Sequence, residues 1–449
     1  MRKEKDFLGE VLLPKDKFYG AQTQRSLNNL SVGNIIMPKD VIYAYAYIKK
    51  AAAIANYKLK LLPKYKKDLI AKACDSILQG DLDEHFPLGI FQTGSGTHTN
   101  MNVNEVISNY ISYVTNKKHI LHPNDDINMS QSSNDTFQVA MHISAKLLIK
   151  NELLVSLEKL KEKILQKAKE FSNITKVGRT HFMDAVLMNM KDEFFAYHTL
   201  IDNAVDLLKA ALNSLSYISI GGTAIGNGVN TDPAFGKTAT LEINKLTKEK
   251  FISARDKFAL ISFDSAILQA SSVLKHLACI FIKIANDLMF LSSGPRCGVS
   301  ELVLPVNEPG SSIMPGKVNP SQCESLKMVC MKVIGNDTSI TYGVSQGFLQ
   351  LSSNRPMIIY SFLESVNILN DSILNFTKNC LSGLSANKDQ IKKHVENNLM
   401  TATELTKKLG YDVVSKLVKL ATEEHISLKE AADKLGLLEK YEIAIKNLI

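Results

Sequence analysis

Apolar residues recur with helical spacing over long stretches of this chain, and that periodicity constrains the fold more than any other feature. The clearest case runs through Leu153, Leu157, Leu160 and Ile164, with Glu and Lys between them. The stretches 201–215 and 268–284 repeat the pattern, whereas alternating runs typical of strands are scarce. This spacing places apolar side chains on one face of a helix. The sequence therefore predicts an all-α fold with a long central helical bundle.

Glycine, serine, asparagine and proline concentrate in polar islands between the helical stretches. The islands lie at 92–104, 122–136, 178–184, 219–232 and 305–320. A length of 449 residues suggests roughly three domains. We place the boundaries near 130 and 388. This division predicts an N-terminal domain (1–130), a central helical-bundle domain (131–388) and a small C-terminal helical domain (389–449), whose short helices are separated by Gly410 and Gly436.

Charge and composition argue against nucleic-acid and membrane partners. The net charge is +8, but the lysines are spread along the chain and form no basic stripe with aromatic residues. The most apolar stretch, 266–291, is interrupted by charged side chains, which is typical of a buried bundle helix rather than a membrane span. A mildly positive surface favours the approach of a small dianion.

Cysteine usage and the N-terminus indicate a cytoplasmic protein. The six cysteines form no CxxC pair and no Cys/His cluster with zinc-ligand spacing, so we expect reduced thiols and no metal site. The first 18 residues mix both charge signs and lack the apolar segment of a signal peptide. We also expect no cofactor, because no nucleotide-binding motif is present.

Two polar islands in the first third of the chain fit an anion site. The stretch 92–105 is dense in hydroxyls and amides, and it fits either a carboxylate-binding loop or a turn that caps a helix. In the stretch 122–136, Ser132, Ser133 and Asn134 stand where a helix is predicted to begin. Free N–H groups at a helix N-terminus attract anions. Because capping needs only one such residue, the run favours a ligand site.

The island at 178–184 contains a histidine that could transfer protons. His181 follows Thr180 in a polar turn that we predict between two long helices. An imidazole titrates near neutral pH, as proton transfer requires. An isolated histidine is nevertheless more often structural than catalytic.

The island at 308–324 combines more chemical groups than a plain surface loop needs. Gly310 and Gly316 flank two serines, and Lys317 supplies a cation. Asn319 and Pro320 read as a helix N-cap and first helical residue. Glu324 would then lie one turn inside the helix that follows.

These islands resemble the conserved blocks of one enzyme superfamily. The run GSSIMPGKVNP at 310–320 resembles the signature loop of the fumarase/aspartase superfamily. Other blocks are similar to it in the same order: YGAQTQRS at 19–26, TGSGTHTNMNVNE at 93–105, HPNDDINMSQSSNDT at 122–136, GRTH at 178–181, GGTAIGNGVNT at 221–231 and GYD at 410–412. Gly316 stands where aspartases typically have alanine. The stretches NPSQCES and HPNDDIN also resemble class II fumarases, a metal-independent branch.

The resemblance implies a fold and a reaction. It implies the helical superfamily fold and a homotetramer whose active sites are each shared by three subunits. It also implies trans addition of water to fumarate to give (S)-malate, and the reverse reaction, through an aci-carboxylate intermediate.

The resemblance also implies roles for individual residues. Ser311 would be the base that takes the C3 proton of malate, and His181, oriented by Glu324, would act at the hydroxyl. Lys317 would stabilise developing charge and hold a carboxylate. The remaining substrate-binding residues would be Ser95, Thr97, Ser132, Ser133, Asn134, Thr180 and Asn319.

A second anion site is implied as well, at His122, Asn124 and Asp125. This sequence departs from the family pattern nearby, because His119 stands where an arginine is usual. Farther along the chain, Ser300 stands where glycine is common.

Two alternatives remain open at the level of sequence. The first is an aspartate ammonia-lyase of the same superfamily, against which Gly316 argues. The second is a catalytically silent homologue, against which the intact set of Ser311, Lys317, His181 and Glu324 argues.

Overall fold

Helices dominate the computed structural model, which describes residues 1–445. The helices are α1 (Ala21–Asn29), α2 (Lys39–Lys58), α3 (Lys64–Leu78), α4 (Thr97–Thr115), α5 (Ser133–Leu148), α6 (Leu154–Glu170), α7 (Met190–Ser214), α8 (Phe235–Thr247), α9 (Lys257–Ser262), α10 (Ser265–Leu291), α11 (Ser321–Ser345), α12 (Arg355–Asn379), α13 (Lys388–Asn397), α14 (Ala402–Leu409), α15 (Tyr411–Glu424), α16 (Leu428–Lys434) and α17 (Leu438–Ile445). The predicted fold class is confirmed.

The strands in the described chain form only two-stranded sheets. They are β1 (Arg2–Asp6), β2 (Gly9–Leu13), β3 (Thr175–Thr180), β4 (Met183–Asn189), β5 (Tyr217–Ile218), β6 (Ile252–Ser253), β7 (Leu302–Val303) and β8 (Ser385–Ala386). The pairs β1–β2, β3–β4 and β7–β8 are antiparallel, and β5–β6 is parallel.

The β3–β4 hairpin corrects one detail of the sequence interpretation. His181 lies between two long helices, α6 and α7, as predicted, but the connection is a hairpin rather than a simple turn. The register of this hairpin shifts between Val177 and Arg179. A bulge breaks the strict alternation by which strands are recognised in a sequence.

The described chain divides into two compact units. Unit 1 comprises Met1–Val155, Ala204–Ala278 and Cys330–Asn370. Unit 2 comprises Ser156–Asn203, Cys279–Val329 and the chain from Asp371 onward. The divisions within α7, α10, α11 and α12 mean that each of these long helices contributes to both units. The predicted boundaries near 130 and 388 stay a prediction.

Unit 1 is built around α2, which packs against α3, α5 and α8. Alanines cover much of α2, including Ala44, Ala46 and Ala55, all of which are buried. Small side chains allow neighbouring helices to approach closely. Tyr45 and Phe137 fill the space between α2 and α5 with their rings 6.1 Å apart. This packing fixes α5, whose first residues belong to the candidate site.

The periodic apolar residues lie where the sequence predicts them. Leu153, Leu157, Leu160 and Ile164 are all buried. The helix α10 is long and apolar enough, by length and composition, to cross a membrane, and half of its most apolar window is buried.

The C-terminal part of unit 2 has an apolar core of its own. Buried residues from α14 to α17, among them Leu405, Leu417 and Leu428, pack together. Gly410 separates α14 from α15, and Gly436 separates α16 from α17, as predicted.

Candidate active site

The N-termini of α4 and α5 meet in unit 1. Thr97 is the first residue of α4 and Ser133 is the first residue of α5. Their hydroxyl oxygens, Thr97 Oγ1 and Ser133 Oγ, are 2.7 Å apart. Each helix N-terminus carries unpaired N–H groups and about half a positive charge from the helix dipole. Two such ends at one point make a seat for a carboxylate.

A chain of hydroxyl groups lines this seat. Ser95 Oγ lies 3.0 Å from Thr97 Oγ1, which in turn bonds to Ser133. Ser132 is the N-cap of α5, and its side chain accepts a hydrogen bond from the backbone N–H of Asn134 at 3.2 Å. We call Ser95, Thr97 and Ser133 the hydroxyl chain. The structure therefore brings together four residues that the sequence placed in two separate islands.

Two glycines let the loop before α4 pack this closely. A Cβ atom on Gly94 would lie 1.3 Å from the carbonyl oxygen of Ser353, and one on Gly96 would lie 1.9 Å from the Phe137 ring. Gly96 also has a φ of +77°, which L-residues rarely adopt. The close approach requires glycine at both positions.

Asp135 ties the start of α5 to the glycine-rich loop at 219–224. One carboxylate oxygen accepts the N–H of Ser132 at 2.9 Å, and the other accepts those of Gly221 and Thr223 at 3.0 and 2.9 Å. The side-chain amide of Asn134 donates to the carbonyl of Ala224 at 2.8 Å. Complete burial raises the pKa of Asp135 to about 6, although the three N–H donors oppose that rise.

Arg355 holds two polar islands of unit 1, 92–104 and 122–136, in place. It is completely buried, and its guanidinium Nε lies 3.2 Å from both carboxylate oxygens of Asp264. Nη1 donates to the carbonyl oxygen of Asn134 at 2.6 Å, and the backbone N–H of Arg355 donates to the carbonyl oxygen of Gly94 at 3.0 Å. One buried residue thus holds the loop before α4 and the first turn of α5.

The loop before α5 has a second buried cation. Lys49 donates to the side-chain oxygens of Asn128 and Gln131 at 2.9 and 3.0 Å. Burial lowers the pKa of Lys49 to about 7, while the carboxylate of Asp135 works against that fall. The ammonium holds the loop in place by these two bonds.

The residues of the predicted second anion site, His122, Asn124 and Asp125, lie within four consecutive residues of unit 1. Asp125 donates its backbone N–H to His122 Nδ1 at 3.0 Å, and Oδ2 of Asp125 lies 3.1 Å from the same nitrogen. His122 and Asn124 line a cavity of about 640 Å³, together with His119, Lys3 and Lys5. Asp125 is exposed and does not line that cavity.

In unit 2, Thr180 and His181 lie at the tip of the β3–β4 hairpin. Thr180 pairs with Met183, so His181 and Phe182 form a two-residue turn. Their φ angles are +57° and +62°. Such turns favour Asn-Gly, and other L-residues in this region carry strain on the order of 1 kcal/mol each. The imidazole is exposed, and strained backbone of this kind clusters at functional sites.

The signature loop, residues 310–320, presents Ser311 and Lys317. Ser311 Oγ accepts the backbone N–H groups of Ile313 and Met314 at 3.3 and 3.0 Å. These donors favour a negatively charged oxygen. Lys317 is exposed and forms no ion pair with any residue between 1 and 445.

The start of α11 differs slightly from the sequence interpretation. The helix begins at Ser321, and the carbonyl of Pro320 accepts its first hydrogen bonds, so Asn319 is not the N-cap. The Asn319 amide instead donates to the carbonyl oxygen of Gly310 and closes the base of the loop. Glu324 lies in the first turn of α11, as predicted, and is exposed.

The predicted pairing of His181 with Glu324 is not made within the described chain. Neither side chain has a hydrogen bond or ion pair with another described residue. The pairing stays a prediction. Within residues 1–445, no group of three or more His, Cys, Asp or Glu side chains could hold a metal ion.

Sequence reasoning missed three buried charged residues that hold the site residues in place. Asp135 was detectable, because Ser132 and Asp135 form the S-x-x-D capping pattern. Arg355 and Glu301 had no local pattern, since their partners lie far away in sequence. Glu301 contacts Arg179, two residues before His181, at 2.8 Å.

Comparison with known proteins agrees with the fold. The model of a lyase family matches residues 9–335. The solved class II fumarase of Schistosoma mansoni superposes with a TM-score of 0.95 at 40% identity, covering 99% of this chain and 98% of that one.

Curated relatives extend the similarity along almost the entire chain. The class II fumarate hydratase of Bacillus subtilis is 44% identical over 97% of this chain and 95% of its own length. That of Chlamydia trachomatis is 48% identical over 98% of this chain and 96% of its own length. The chain belongs to the class II fumarate hydratase family.

Proposed function

We propose that the protein catalyses the reversible hydration of fumarate to (S)-malate. The observation that carries the proposal is the meeting of the α4 and α5 N-termini at Thr97 and Ser133. A dicarboxylate needs a fixed, electropositive seat for at least one of its carboxylates. The hydroxyl chain and the free N–H groups provide neutral hydrogen-bond donors for this carboxylate. They favour binding of a dianion although no buried cation contacts it.

The substrate-binding set is proposed to include residues from four of the polar islands. Thr97, Ser133 and Asn134 would hold one carboxylate, with Ser95 and Ser132 shaping the hydroxyl positions. Lys317 and Asn319 of the signature loop and Thr180 of the hairpin would complete the set. A cation on a loop suits this role, because Lys317 is exposed and has no competing carboxylate among the described residues.

Proton transfer is assigned to Ser311 and His181. In the malate-to-fumarate direction, the Ser311 alkoxide takes the C3 proton, and the electrons of that bond move into the neighbouring carboxylate to give the aci-carboxylate. Collapse of this intermediate forms the C2–C3 double bond and expels the C2 hydroxyl, which leaves as water after accepting a proton. His181 supplies that proton, directly or through a water, and Glu324 orients the imidazole.

The local structure of the signature loop supports the role of Ser311. A serine hydroxyl is a poor base unless its alkoxide is stabilised. Two backbone N–H groups donate to Ser311 Oγ, and Lys317 lies on the same loop. Each donor favours the charged oxygen over the neutral one.

A homotetramer with active sites shared by three subunits is part of the proposal. His181, Glu324 and Lys317 are exposed and unpaired among residues 1–445, so partners from neighbouring copies can reach them. The helix α11 also exposes Met328, Met331 and Tyr342, at 65%, 57% and 69% of their surface. Exposed apolar side chains on a long helix favour association with another helix.

The proposal also includes a cellular location and a second anion site. A cytoplasmic location agrees with six cysteines that are all free thiols, and a role in the tricarboxylic acid cycle rests on the proposed interconversion of fumarate and malate. The cavity that includes His119, His122 and Asn124 carries two lysines on its wall but also four acidic residues, Glu4, Asp6, Glu10 and Glu105, so the charge of the wall does not by itself favour an anion.

Loss of fumarate absorbance with purified, chelator-treated protein tests the proposed reaction. We expect fumarate to be consumed and malate to form, while a parallel sample with L-aspartate releases no ammonia. Activity on aspartate alone would assign the protein to the ammonia-lyases. Inactivity of a folded protein in both assays would favour the catalytically silent homologue.

A further inference from the structure

The exposed imidazole of His181 lies on a turn whose own residues do not favour its conformation. His181 and Phe182 both have left-handed backbone angles, and neither has the side chain that such a turn prefers. The Phe182 side chain is 77% exposed, and its ring lies 5.2 Å from that of Phe290. Apart from this ring contact, the position of the imidazole is set by the contacts that anchor the two strands.

A buried carboxylate anchors strand β3. Glu301 is completely buried, and its Oε1 lies 2.8 Å from both Arg179 Nη2 and His394 Nδ1. Its Oε2 lies 3.1 Å from the ammonium of Lys176. We call Lys176, Arg179, Glu301 and His394 the Glu301 cluster.

The bulge in β3 directs both strand cations to this one carboxylate. Residues 176 and 179 are separated by an odd number of positions, so in a regular strand their side chains would point to opposite faces. The register shift between Val177 and Arg179 removes that alternation. Gly178 allows the close approach, because a Cβ there would lie 2.9 Å from the carbonyl oxygen of Val186.

Arg179 is the last anchored side chain before the tip of the hairpin. Only Thr180 separates it from His181, so a shift of Arg179 is transmitted to the imidazole through two peptide units. Thr180 is exposed and pairs across the strands with Met183. The Glu301 cluster therefore contains the buried contacts closest in sequence to His181.

We propose that Glu301 is a positioning residue for His181: by holding Lys176 and Arg179 on one face of β3, it fixes the hairpin tip that presents the imidazole. The inference rests on the proton-transfer role proposed for His181. Glu301 does not touch the substrate and is not a catalytic residue.

The charge state of Glu301 suits this role. Burial raises the pKa of Glu301, but Arg179, Lys176 and His394 together lower it by more than burial raises it. The pKa of Glu301 therefore lies below its usual value. The carboxylate remains ionised at neutral pH and keeps its contacts to the two strand cations.

The isosteric substitution Glu301→Gln tests the proposal, with Glu193→Gln as the matched control. Glu193 also pairs with Lys176, at 3.0 Å, but forms no ion pair with Arg179, which pairs with Glu301 instead. A misplacement of about 1 Å can cost on the order of 100-fold in rate. We expect Glu301→Gln to lower kcat about 10- to 100-fold with KM within about twofold, and Glu193→Gln to keep kcat within about twofold.

A double-mutant cycle separates positioning from a general loss of structure. If Glu301 acts through His181, Glu301→Gln should not lower the residual kcat of His181→Asn any further. An equal loss in both backgrounds, or a wild-type kcat in Glu301→Gln, would overturn the proposal. Near-normal activity of His181→Asn alone would instead refute the role proposed for His181.

A second variant covers the case in which Glu301→Gln does not fold. Arg179→Lys keeps the charge but loses the guanidinium geometry that reaches Glu301. We expect a kcat loss of about tenfold that again disappears in the His181→Asn background. A loss that persists in that background would contradict the proposal.

Discussion

In unit 1 two of the proposed carboxylate-binding residues bond to each other, whereas in unit 2 the proposed proton-transfer residue His181 is exposed. Thr97 and Ser133 bond directly, and Asp135 and Arg355 hold the chain on either side of them. His181, by contrast, has no hydrogen-bond partner among the described residues. The buried contacts proposed to position His181 are those of the Glu301 cluster with strand β3.

The difference follows from what each group must do. A seat for an anion works best when its donors are fixed in advance, because reorganisation during the reaction would cost free energy. A group that transfers a proton must reach the substrate and be free to change its own protonation state. The first requirement favours burial and mutual bonding, and the second favours exposure on a supported tip.

The largest effect on kcat is expected when a proposed proton-transfer residue is replaced. We expect His181→Asn and Ser311→Ala each to lower kcat by about 100- to 10,000-fold, the range typical of general acid–base groups. Asparagine tolerates the left-handed backbone of residue 181, so the turn should survive. Steady-state kinetics on fumarate and on malate measure the loss.

Matched substitutions control for nonspecific damage. His425→Asn replaces another exposed histidine with positive φ, and Ser312→Ala replaces the neighbouring serine. Both should keep nearly normal kcat. A near-normal rate in His181→Asn or Ser311→Ala would refute the role assigned to that residue.

The second prediction tests whether unit 1 is held together more tightly than the signature loop. Arg355→Met leaves Asp264 buried without its cation, which should reduce the free energy of unfolding by about 3–5 kcal/mol. Lys317→Met removes an exposed cation without an ion pair in the described chain and should change stability by no more than about 0.5 kcal/mol. Denaturant unfolding measures both. Similar losses in the two variants would contradict the comparison.

The third prediction concerns pH and the carboxylate that ties α5 to the 219–224 loop. Burial raises the pKa of Asp135 from 3.8 to about 6, so between these values the folded protein binds more protons than the unfolded chain. The contribution of Asp135 to stability is therefore greatest below pH 4 and falls as pH rises through about 6, by up to about 1.4 kcal/mol per pH unit.

The difference in unfolding free energy between the wild type and Asp135→Asn isolates the titration of Asp135 and its effect on Lys49 from the groups that do not interact with Asp135. We expect the wild type to lose stability relative to the variant from pH 4 to pH 6 and to run parallel to it above pH 7. A constant difference across this range would show that Asp135 titrates as in the unfolded chain.

The smallest effect is expected for a single hydroxyl of the anion seat. Ser133→Ala removes one donor to a bound carboxylate, worth about 1 kcal/mol, so KM should rise about fivefold with a smaller change in kcat. Thr115→Val, at the opposite end of α4, removes a hydroxyl that bonds only within its own helix and serves as the control. A KM unchanged in Ser133→Ala would remove Ser133 from the proposed seat.

Local patterns in the sequence were sufficient to predict the helices and the start of α5. The buried face of Leu153, Leu157, Leu160 and Ile164 and the start of a helix at residues 132–134 were both predicted correctly. These features depend on residues three or four positions apart, because helical turns bring such residues together. The hairpin that carries His181 was missed, since its bulge interrupts the strand alternation.

The sequence by itself determined which chemical groups the protein has and that most of the chain is helical. Only the tertiary structure decided that Arg355, Asp135 and Glu301 are buried rather than exposed, as charged side chains usually are. The guanidinium of Arg355 and the Asn134 carbonyl it binds are 221 residues apart in sequence. Burial of a charge is stable only when its partners are present, and partners this distant are brought together only by the packing of the helices.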